Sequence, residues 1–235
     1  MELVYHRGYW TPADSFWMHY TDLPDLYDRF TLASVEAAHV IHDMLDFRHK
    51  QILDVSSETG KNAFEHARIA GSVIGIEPIG PMLAFARARA KALGVTNVEF
   101  REGVAEDLSG FASSSFDIAV SMFGAPFPWD TEHRFLSECE RVVRSGGHMV
   151  IVSVTPGWHM LHGPVRLPPE RDAGAHLPAM GFVVHDVVVS LDFGTVCEAL
   201  ATWGFIFGPQ AIDYILDNNS ARQEWSLRIY VKKRA

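Results

Sequence analysis

Cysteine is scarce in this sequence, and its two cysteines, Cys139 and Cys197, stand far apart without the spacing of a metal site. We therefore expect no disulfide framework, which is typical of a protein of the reducing cytoplasm. Long apolar runs are also missing, since none approaches the ~20 residues that a membrane-spanning helix requires. The first residues lack the pattern of a signal peptide, so the sequence predicts a soluble protein with no membrane partner.

Basic residues are too few for a nucleic-acid-binding protein. The chain has 20 Lys and Arg against 29 Asp and Glu, which gives a net charge of -9. Binding to a phosphate backbone requires clustered Lys and Arg, so we expect no nucleic acid partner. The length of 235 residues, 48% of them hydrophobic, fits one α/β domain with ample material for a core. Nothing in the composition indicates the oligomeric state.

The stretch from Gln51 to Glu77 has the pattern of a strand, a tight turn, a helix and a second strand. Apolar residues at 52, 53 and 55 precede a turn that ends at Gly60, and a helix is predicted from Lys61 to about Ala70. Residues 72–76 form the second apolar run, with Glu77 at its end. Ligands of open parallel sheets bind at the carboxyl ends of strands, and an acid about 20 residues beyond a glycine turn is placed to hold a ribose. Glu77 follows Gly60 by 17 positions.

From about residue 31 to its end, the chain resembles the class I S-adenosylmethionine-dependent methyltransferases, in particular their small-molecule branch. The family's first strand ends in an acid followed by a Gly-x-Gly-x-Gly turn, and this sequence keeps Asp54, Thr59 and Gly60. Ser56 and Glu58 stand where the first two glycines belong. The resemblance implies S-adenosylmethionine as the cofactor. It also implies a doubly wound, seven-stranded and mostly parallel sheet whose last strand is antiparallel.

The same resemblance places the cofactor site at the ends of the first four strands. After the third strand the family often has Gly-Asp-Ala, where this chain has Val104 in place of the Asp, which leaves Ala105 and Glu106 for the adenine edge. Ser121 and Phe123 follow the fourth strand, where the methyl group would lie, without the sequence signatures of adenine-amino or cytosine methylation. The expected cofactor-binding residues are Asp54, Ser56, Glu58, Gly60, Glu77, Pro78, Met82, Ala105, Glu106, Ser121 and Phe123.

Glu58 brings a charge to a position where the family's backbone passes close to the amino-acid end of the cofactor. Facing the cofactor carboxylate at ~4 Å, it would be repelled by roughly 4 kcal/mol at an effective dielectric constant of ~20. Facing the ammonium or the sulfonium, it would be attracted by a similar amount. In a third interpretation, Glu58 points to solvent and only its backbone matters, since charged side chains are seldom buried unpaired.

Residues 1–30 hold eight aromatic residues, so the aromatic fraction of this segment is far above the 11% of the whole chain. Their irregular spacing, broken by Pro12 and Pro24, predicts short helical turns and loops. This segment is either a lid that closes the pocket or a strap that covers the core. We treat residues 31–235 as one domain with substrate-side inserts at 155–180 and 192–222. The candidate catalytic residues are Tyr20 and His159, and the candidate substrate contacts are Trp158, His162, Trp203 and Phe207.

Other segments follow the same alternation of helices and strands. A helix from Thr31 to about Arg48 has His39 and His42 on its polar face, a spacing that lacks a third metal ligand, and no metal site is expected. Asp130 or Thr131 should cap a later helix that stops at residues 145–147. The remaining predictions are strands at 98–100, 116–121, 149–154, 182–189 and 225–231, and helices at 82–93, near 169–180, at 195–205 and at 209–216.

Two functional hypotheses follow from these patterns. The first is a methyltransferase that acts on a small, apolar or aromatic molecule. The second is a protein of the same fold that does not transfer methyl groups and serves as a binding module or partner subunit, a hypothesis that Ser56, Glu58 and Val104 motivate. A nicotinamide dehydrogenase is disfavoured, because Glu58 would face a pyrophosphate.

Overall fold

The computed structural model describes residues 3–12, 22–124, 130–155 and 174–235. The N-terminal part holds a β-hairpin of β1 (Leu3–His6) and β2 (Tyr9–Pro12), followed by helix α1 (Pro24–Phe30). The prediction of short helical turns and loops was therefore wrong for residues 3–12, which form a hairpin. The two strands pair across a reversal at Arg7 and Gly8, both of which have positive φ. Helix α1 begins at Pro24, whose missing N–H and fixed φ suit the first helical position.

The centre of the molecule is a seven-stranded sheet. Its strands are β3 (Gln51–Val55), β4 (Ser72–Glu77), β5 (Val98–Glu102), β6 (Phe116–Met122), β7 (Val143–Val154), β8 (Val183–Asp192) and β9 (Arg222–Lys233). They lie in the order β5-β4-β3-β6-β7-β9-β8, and β9 runs antiparallel to both of its neighbours. This confirms the predicted doubly wound, mostly parallel sheet with an antiparallel last strand. Strands β4 and β5 are added on one side of β3, and β6 and β7 on the other side. The order of strand addition therefore reverses between β3 and β6.

Helices cover both faces of the sheet because the strands are apolar on both sides. On one face, Ile52, Ile118 and Val120 share a core with α2 (Leu32–Met44), α3 (Lys61–Ala67) and α4 (Gly80–Leu93). On the other face, Leu53 and Val55 pack with α5 (Arg134–Val142). The predicted helices at 31–48 and 61–70 exist, but each ends about three or four residues earlier than expected.

The second half of the chain departs from the prediction at two places. Helix α5 ends at Val142 and β7 begins at Val143, so the expected stop at residues 145–147 lies inside the start of the strand. Asp130 caps α5, as predicted, by accepting the N–H groups of Arg134 and Phe135, both at 2.9 Å. The helix expected near 169–180 is reduced, in its described part, to turns and one 3₁₀ turn at Pro178–Met180.

The insert between β8 and β9 is helical and returns to the first face of the sheet. It contains α6 (Val196–Ala199), a π-helical turn (Leu200–Gly204), α7 (Phe205–Phe207) and α8 (Pro209–Asn218). These elements lie where the helices at 195–205 and 209–216 were predicted. Gly208 separates them with a positive φ of 71°, a conformation that suits glycine.

His42 does not lie on a solvated face, which corrects part of the expectation for α2. Its Nε2 is 2.9 Å from Nδ1 of His66, a fully buried residue that stacks on Phe47. Burial, followed by the proximity of His42, lowers the pKa of His66 to about 3. His39 is exposed and 3.5 Å from Glu65. Among the described residues, no group of three or more His, Cys, Asp or Glu side chains is arranged to hold a metal ion.

Candidate active site

The turn from β3 to α3 has the backbone of a glycine-rich loop although two of its residues carry side chains. The φ angles of Ser56, Glu58 and Gly60 are 62°, 54° and 78°, so each alternate residue is left-handed. These are the three positions at which the resembled family has glycine. For a non-glycine residue this conformation is less stable by about 1 to 2 kcal/mol. Only surrounding contacts hold Ser56 and Glu58 in it.

Gly60 is needed for space as well as for φ. A Cβ at this position would lie 2.4 Å from the ring of Phe100, which packs beneath the turn. Gly124, after β6, is similarly constrained, because a Cβ there would be 2.5 Å from the Cβ of Ser56. The ends of β3 and β6 therefore touch at the point where the sheet switches direction, which is where open α/β sheets bind ligands.

Glu77 ties the turn to the end of β4. Its two carboxylate oxygens accept the N–H of Glu58 at 2.9 Å and the N–H of Ile79 at 2.8 Å. Burial raises the pKa of Glu77, and these two hydrogen bonds act in the opposite direction. A carboxylate oxygen can accept more than one hydrogen bond, so Glu77 retains acceptor capacity for a ligand. The sequence placed Glu77 at a strand end, and the structure gives it this second contact with the turn.

Asp54 is completely buried at the end of β3. Neither of its carboxylate oxygens has a hydrogen-bond partner within the described parts of the chain. Burial raises its pKa well above the usual range, and the charges of Glu58 and Glu77 raise it further. The nearby N–H of Ala63 opposes the rise without the geometry of a hydrogen bond. Asp54 therefore carries an electrostatic cost that its own surroundings do not offset.

Glu58 is 4% exposed, so the interpretation in which it points to solvent is wrong. The hydroxyl of Tyr27, on helix α1, donates a short hydrogen bond to Oε1 of Glu58. The N-terminal helix thus reaches directly into the turn. Tyr27 was noted in the sequence only as one aromatic residue among eight, and nothing in its local pattern pointed to Glu58, which is 31 positions away.

Asp28, the next residue of α1, holds the same turn from its outer side. Its Oδ1 accepts the Thr59 hydroxyl and an Arg89 N–H, both at 2.7 Å, and its Oδ2 is 3.7 Å from the Lys61 ammonium. Burial lowers the pKa of Lys61, and the charge of Asp28 raises it. We call these four residues the Asp28 network. Lys61 offered a signal in the sequence, since a cation at a helix N-terminus opposes the helix dipole and indicates a nearby anion.

The hairpin contacts α8, whereas α1 contacts the turn after β3. His6 and Arg7 contact Asp213 at 2.8 and 3.0 Å, and Arg7 also contacts Asp217 at 2.7 Å. Both aspartates belong to α8, in the insert before the last strand. The N-terminal part of the chain therefore joins the turn after β3 to the insert at 192–222.

The other expected contacts occupy different environments. Ala105 is buried, Glu106 is half-buried, and Val104, at the position of the family's Asp, is 45% exposed. Ser121 is buried and Phe123 half-buried at the end of β6, with a φ of 60° at Phe123.

Two expected cofactor contacts, Pro78 and Met82, do not join the buried polar residues of the turn after β3. Pro78 is exposed, and Met82 is fully buried in the core between α4 and the sheet.

Trp203 and Phe207, the expected substrate contacts, belong to an aromatic cluster beneath α1. Trp203 is fully buried and packs against Phe207 at 5.3 Å and Trp225 at 5.7 Å between ring centroids. Trp225 in turn contacts Phe123 at 5.8 Å, so the cluster reaches the end of β6. Trp203 lies in a π-helical turn, a feature frequent at functional sites, and its indole N–H has no acceptor among the described residues.

Four candidates cannot be placed in this site. Tyr20, Trp158, His159 and His162 lie outside the described residues, as does most of the insert at 155–180. Within the described ranges, no helix combines the length and the apolar character that crossing a membrane requires.

The fold and the turn define a doubly wound α/β domain in which the carboxyl ends of β3, β4 and β6 lie where open α/β sheets bind ligands. Comparison with known proteins agrees, because residues 52–147 match the family model described as "Methyltransferase domain". Residues 52–147 are therefore similar to a methyltransferase domain, and the fold is that of solved S-adenosylmethionine-dependent methyltransferases. The cofactor of this family is S-adenosylmethionine. The left-handed turn, the spare acceptor capacity of Glu77 and the unsatisfied carboxylate of Asp54 fit such a cationic adenosyl group.

Individual relatives resemble only part of the chain in sequence. A ubiquinone biosynthesis O-methyltransferase of Rhizobium etli is 32% identical over 104 residues, covering 44% of this chain and 41% of that protein. A demethylmenaquinone methyltransferase of Thermus thermophilus is 35% identical over 109 residues, covering 46% and 48%. The chain thus spans less than half the length of these curated relatives. In fold, the YcgJ protein of Bacillus subtilis matches 85% of this chain and 99% of its own, with a TM-score of 0.61 and 18% identity.

Proposed function

We propose that the protein is a methyltransferase that transfers the methyl group of S-adenosylmethionine to a small, apolar or aromatic molecule. The observation that carries this proposal is the turn after β3, which keeps left-handed geometry at three alternate positions although only Gly60 is a glycine. A turn without a ligand to accommodate would have no need of this strained backbone. The relatives that are named for ubiquinone and demethylmenaquinone methylation support a small, ring-containing acceptor.

The residues of this chain have distinct tasks in such a reaction. Glu77 would accept hydrogen bonds from the ribose hydroxyls, and the turn would hold the amino-acid end of the cofactor. The bound cofactor supplies an electrophilic methyl group on sulfur, which already has a good leaving group. The protein therefore mainly positions the acceptor and excludes water, and the aromatic cluster next to Phe123 is suited to that. Tyr20 and His159 remain candidates for a single base, and the acidic surface disfavours nucleic acid as the acceptor.

Calorimetric titration with S-adenosylmethionine tests the proposal. We expect binding by the natural protein and a loss of about 100-fold or more in Glu77→Ala, because two charge-assisted hydrogen bonds disappear. Glu77→Gln is the control, since it keeps a side-chain acceptor for a backbone N–H of the turn. The variants' thermal unfolding must be compared as well, because Glu77 also holds the turn. An unchanged dissociation constant in folded Glu77→Ala would contradict the ribose assignment.

The second candidate function is a binding module or partner subunit that transfers no methyl group. The observation that favours it is the Tyr27 hydrogen bond to Glu58, which gives the carboxylate a partner within the protein. Radiolabelled methyl transfer to a panel of hydroxylated aromatic compounds separates the two candidates. Cofactor binding without transfer to any acceptor of the panel would favour the binding module. Absence of cofactor binding would contradict the first candidate.

A further inference from the structure

Three buried carboxyl groups belong to the turn after β3 and to the strand ends beside it. Asp54 is the next-to-last residue of β3, Glu58 lies in the turn and Glu77 ends β4, and each is at most 4% exposed. The N–H of Glu58 is 2.9 Å from the carboxylate of Glu77, and the charges of both glutamates act on Asp54. We call these three residues the carboxyl cluster. Buried carboxylates are normally paired with a cation or fully hydrogen-bonded, so such a cluster requires an explanation.

The cations near this cluster do not balance it. Lys61 and Arg89 are both engaged by Asp28, a fourth acid. Within the described residues of this region, the four acids (Asp28 and the carboxyl cluster) therefore exceed the two bases by two. Asp54 is the clearest sign of the imbalance, since its fully buried oxygens have no hydrogen-bond partner in the described part of the structure. These excess acids lie at the sheet position where open α/β domains bind ligands.

We propose that the carboxyl cluster selects ligands by charge and binds the sulfonium cofactor more tightly than the thioether product. This inference rests on the proposed methyltransferase function. In the transfer, a lone pair of the acceptor forms the new bond to the methyl carbon, the electron pair of the broken sulfur–carbon bond stays on sulfur, and a neutral hydroxyl acceptor releases its proton to water or a base. The cofactor thus enters with a net charge of about +1 and leaves with about zero at neutral pH. The attraction to the cluster ends when the methyl group has gone.

Coulomb's law gives the size of the effect. One carboxylate at about 8 to 12 Å from a positive charge, at an effective dielectric constant of about 20, changes a dissociation constant by about 10- to 30-fold. Because the cluster is buried, salt screens this attraction less than it screens a surface pair. The product would therefore be bound about 10- to 30-fold more weakly than the cofactor.

The test compares the dissociation constants of S-adenosylmethionine and S-adenosylhomocysteine by calorimetry. In the natural protein we expect the sulfonium compound to bind at least about tenfold more tightly. An analogue that carries a protonated amine in place of the methylsulfonium group should bind like the sulfonium compound, because charge rather than the methyl group is recognised. Equal affinity for sulfonium and thioether ligands in the natural protein would overturn the proposal.

Two variants assign the effect to the cluster. Glu58→Gln, which keeps an acceptor for the Tyr27 hydroxyl, and Asp54→Asn should each reduce the affinity ratio by about tenfold by weakening the sulfonium compound alone. Glu140→Gln is the control, because Glu140 pairs at 3.3 Å with Lys232 of β9 and has no contact with the carboxyl cluster among the described ion pairs. A ratio that persists in both folded variants would overturn the inference and leave the proposed function intact. No binding of S-adenosylmethionine by the natural protein would overturn both.

Discussion

Replacing Glu58 by alanine and by glycine separates the energy of its hydrogen bond with Tyr27 from the strain of its left-handed backbone. Both changes remove the hydrogen bond from Tyr27, a loss of about 1.5 to 3 kcal/mol for a charged acceptor. Alanine must still adopt the φ of 54°, whereas glycine is free of the left-handed strain of about 1 to 2 kcal/mol. The greater freedom of glycine in the unfolded chain offsets about 0.5 to 1 kcal/mol of this relief. We therefore expect Glu58→Gly to be more stable than Glu58→Ala by about 1 kcal/mol.

Urea unfolding of the two variants measures this difference directly. The control pair is Ala84 and Ala84→Gly, at an exposed position of helix α4, where glycine should be less stable than alanine by about 1 kcal/mol. The effect of glycine should thus change sign between the two positions. If the glycine variant at position 58 is no more stable than the alanine variant, the claim that the turn is strained is refuted.

Three further predictions concern the N-terminal segment and the buried acids. Asp28→Asn should lower the unfolding free energy by about 2 to 4 kcal/mol, because Lys61 and Arg89 lose their shared anion. Asp25→Asn is the control, and it should cost less than about 1 kcal/mol, because Asp25 is exposed and loses only a surface ion pair with Arg29. Folding raises the pKa of Asp54 and of Glu77. The folded state therefore retains protons that the unfolded chain releases above about pH 4. The unfolding free energy consequently falls as the pH rises toward the raised pKa values. Asp54→Asn should make the melting temperature of the ligand-free protein higher and less dependent on pH, and a decline as steep as that of the natural protein would contradict the unpaired carboxylate. Adding S-adenosylmethionine should slow amide exchange in residues 1–30 if the segment closes as a lid, and equal protection with and without ligand would identify a strap.

The sheet could be predicted from the sequence because its signals are local. The apolar runs at 52–55, 72–76 and 116–121 are each bounded by turn residues, and all three are strands in the structure. The hairpin at 3–12 was not predicted, because its aromatic residues do not alternate regularly and Pro12 suggested a break. Helix α5 passes directly into β7, and no turn residue marks that boundary.

The polar contacts of the site could be predicted only in part. The motif indicated Asp54, Gly60 and Glu77, because strand ends and turns have recognisable sequence patterns. The partner of Glu58 could not be found in this way, since Tyr27 lies on a helix that packs over the turn from outside the motif. Tertiary pairs of this kind depend on how two elements dock, and the local sequence does not encode the docking. The same holds for His42 and His66, which are 24 positions apart.

The left-handed turn also has a consequence for the order in which the protein folds. A turn with three glycines can take its shape as soon as the flanking strand and helix form. Here Ser56 and Glu58 are held in shape by partners that are distant in sequence, with Glu77 19 positions and Tyr27 31 positions from Glu58. Those contacts exist only after β4 has joined the sheet and α1 has docked. We therefore expect the turn to form late in folding, so that its contacts slow unfolding more than they speed folding.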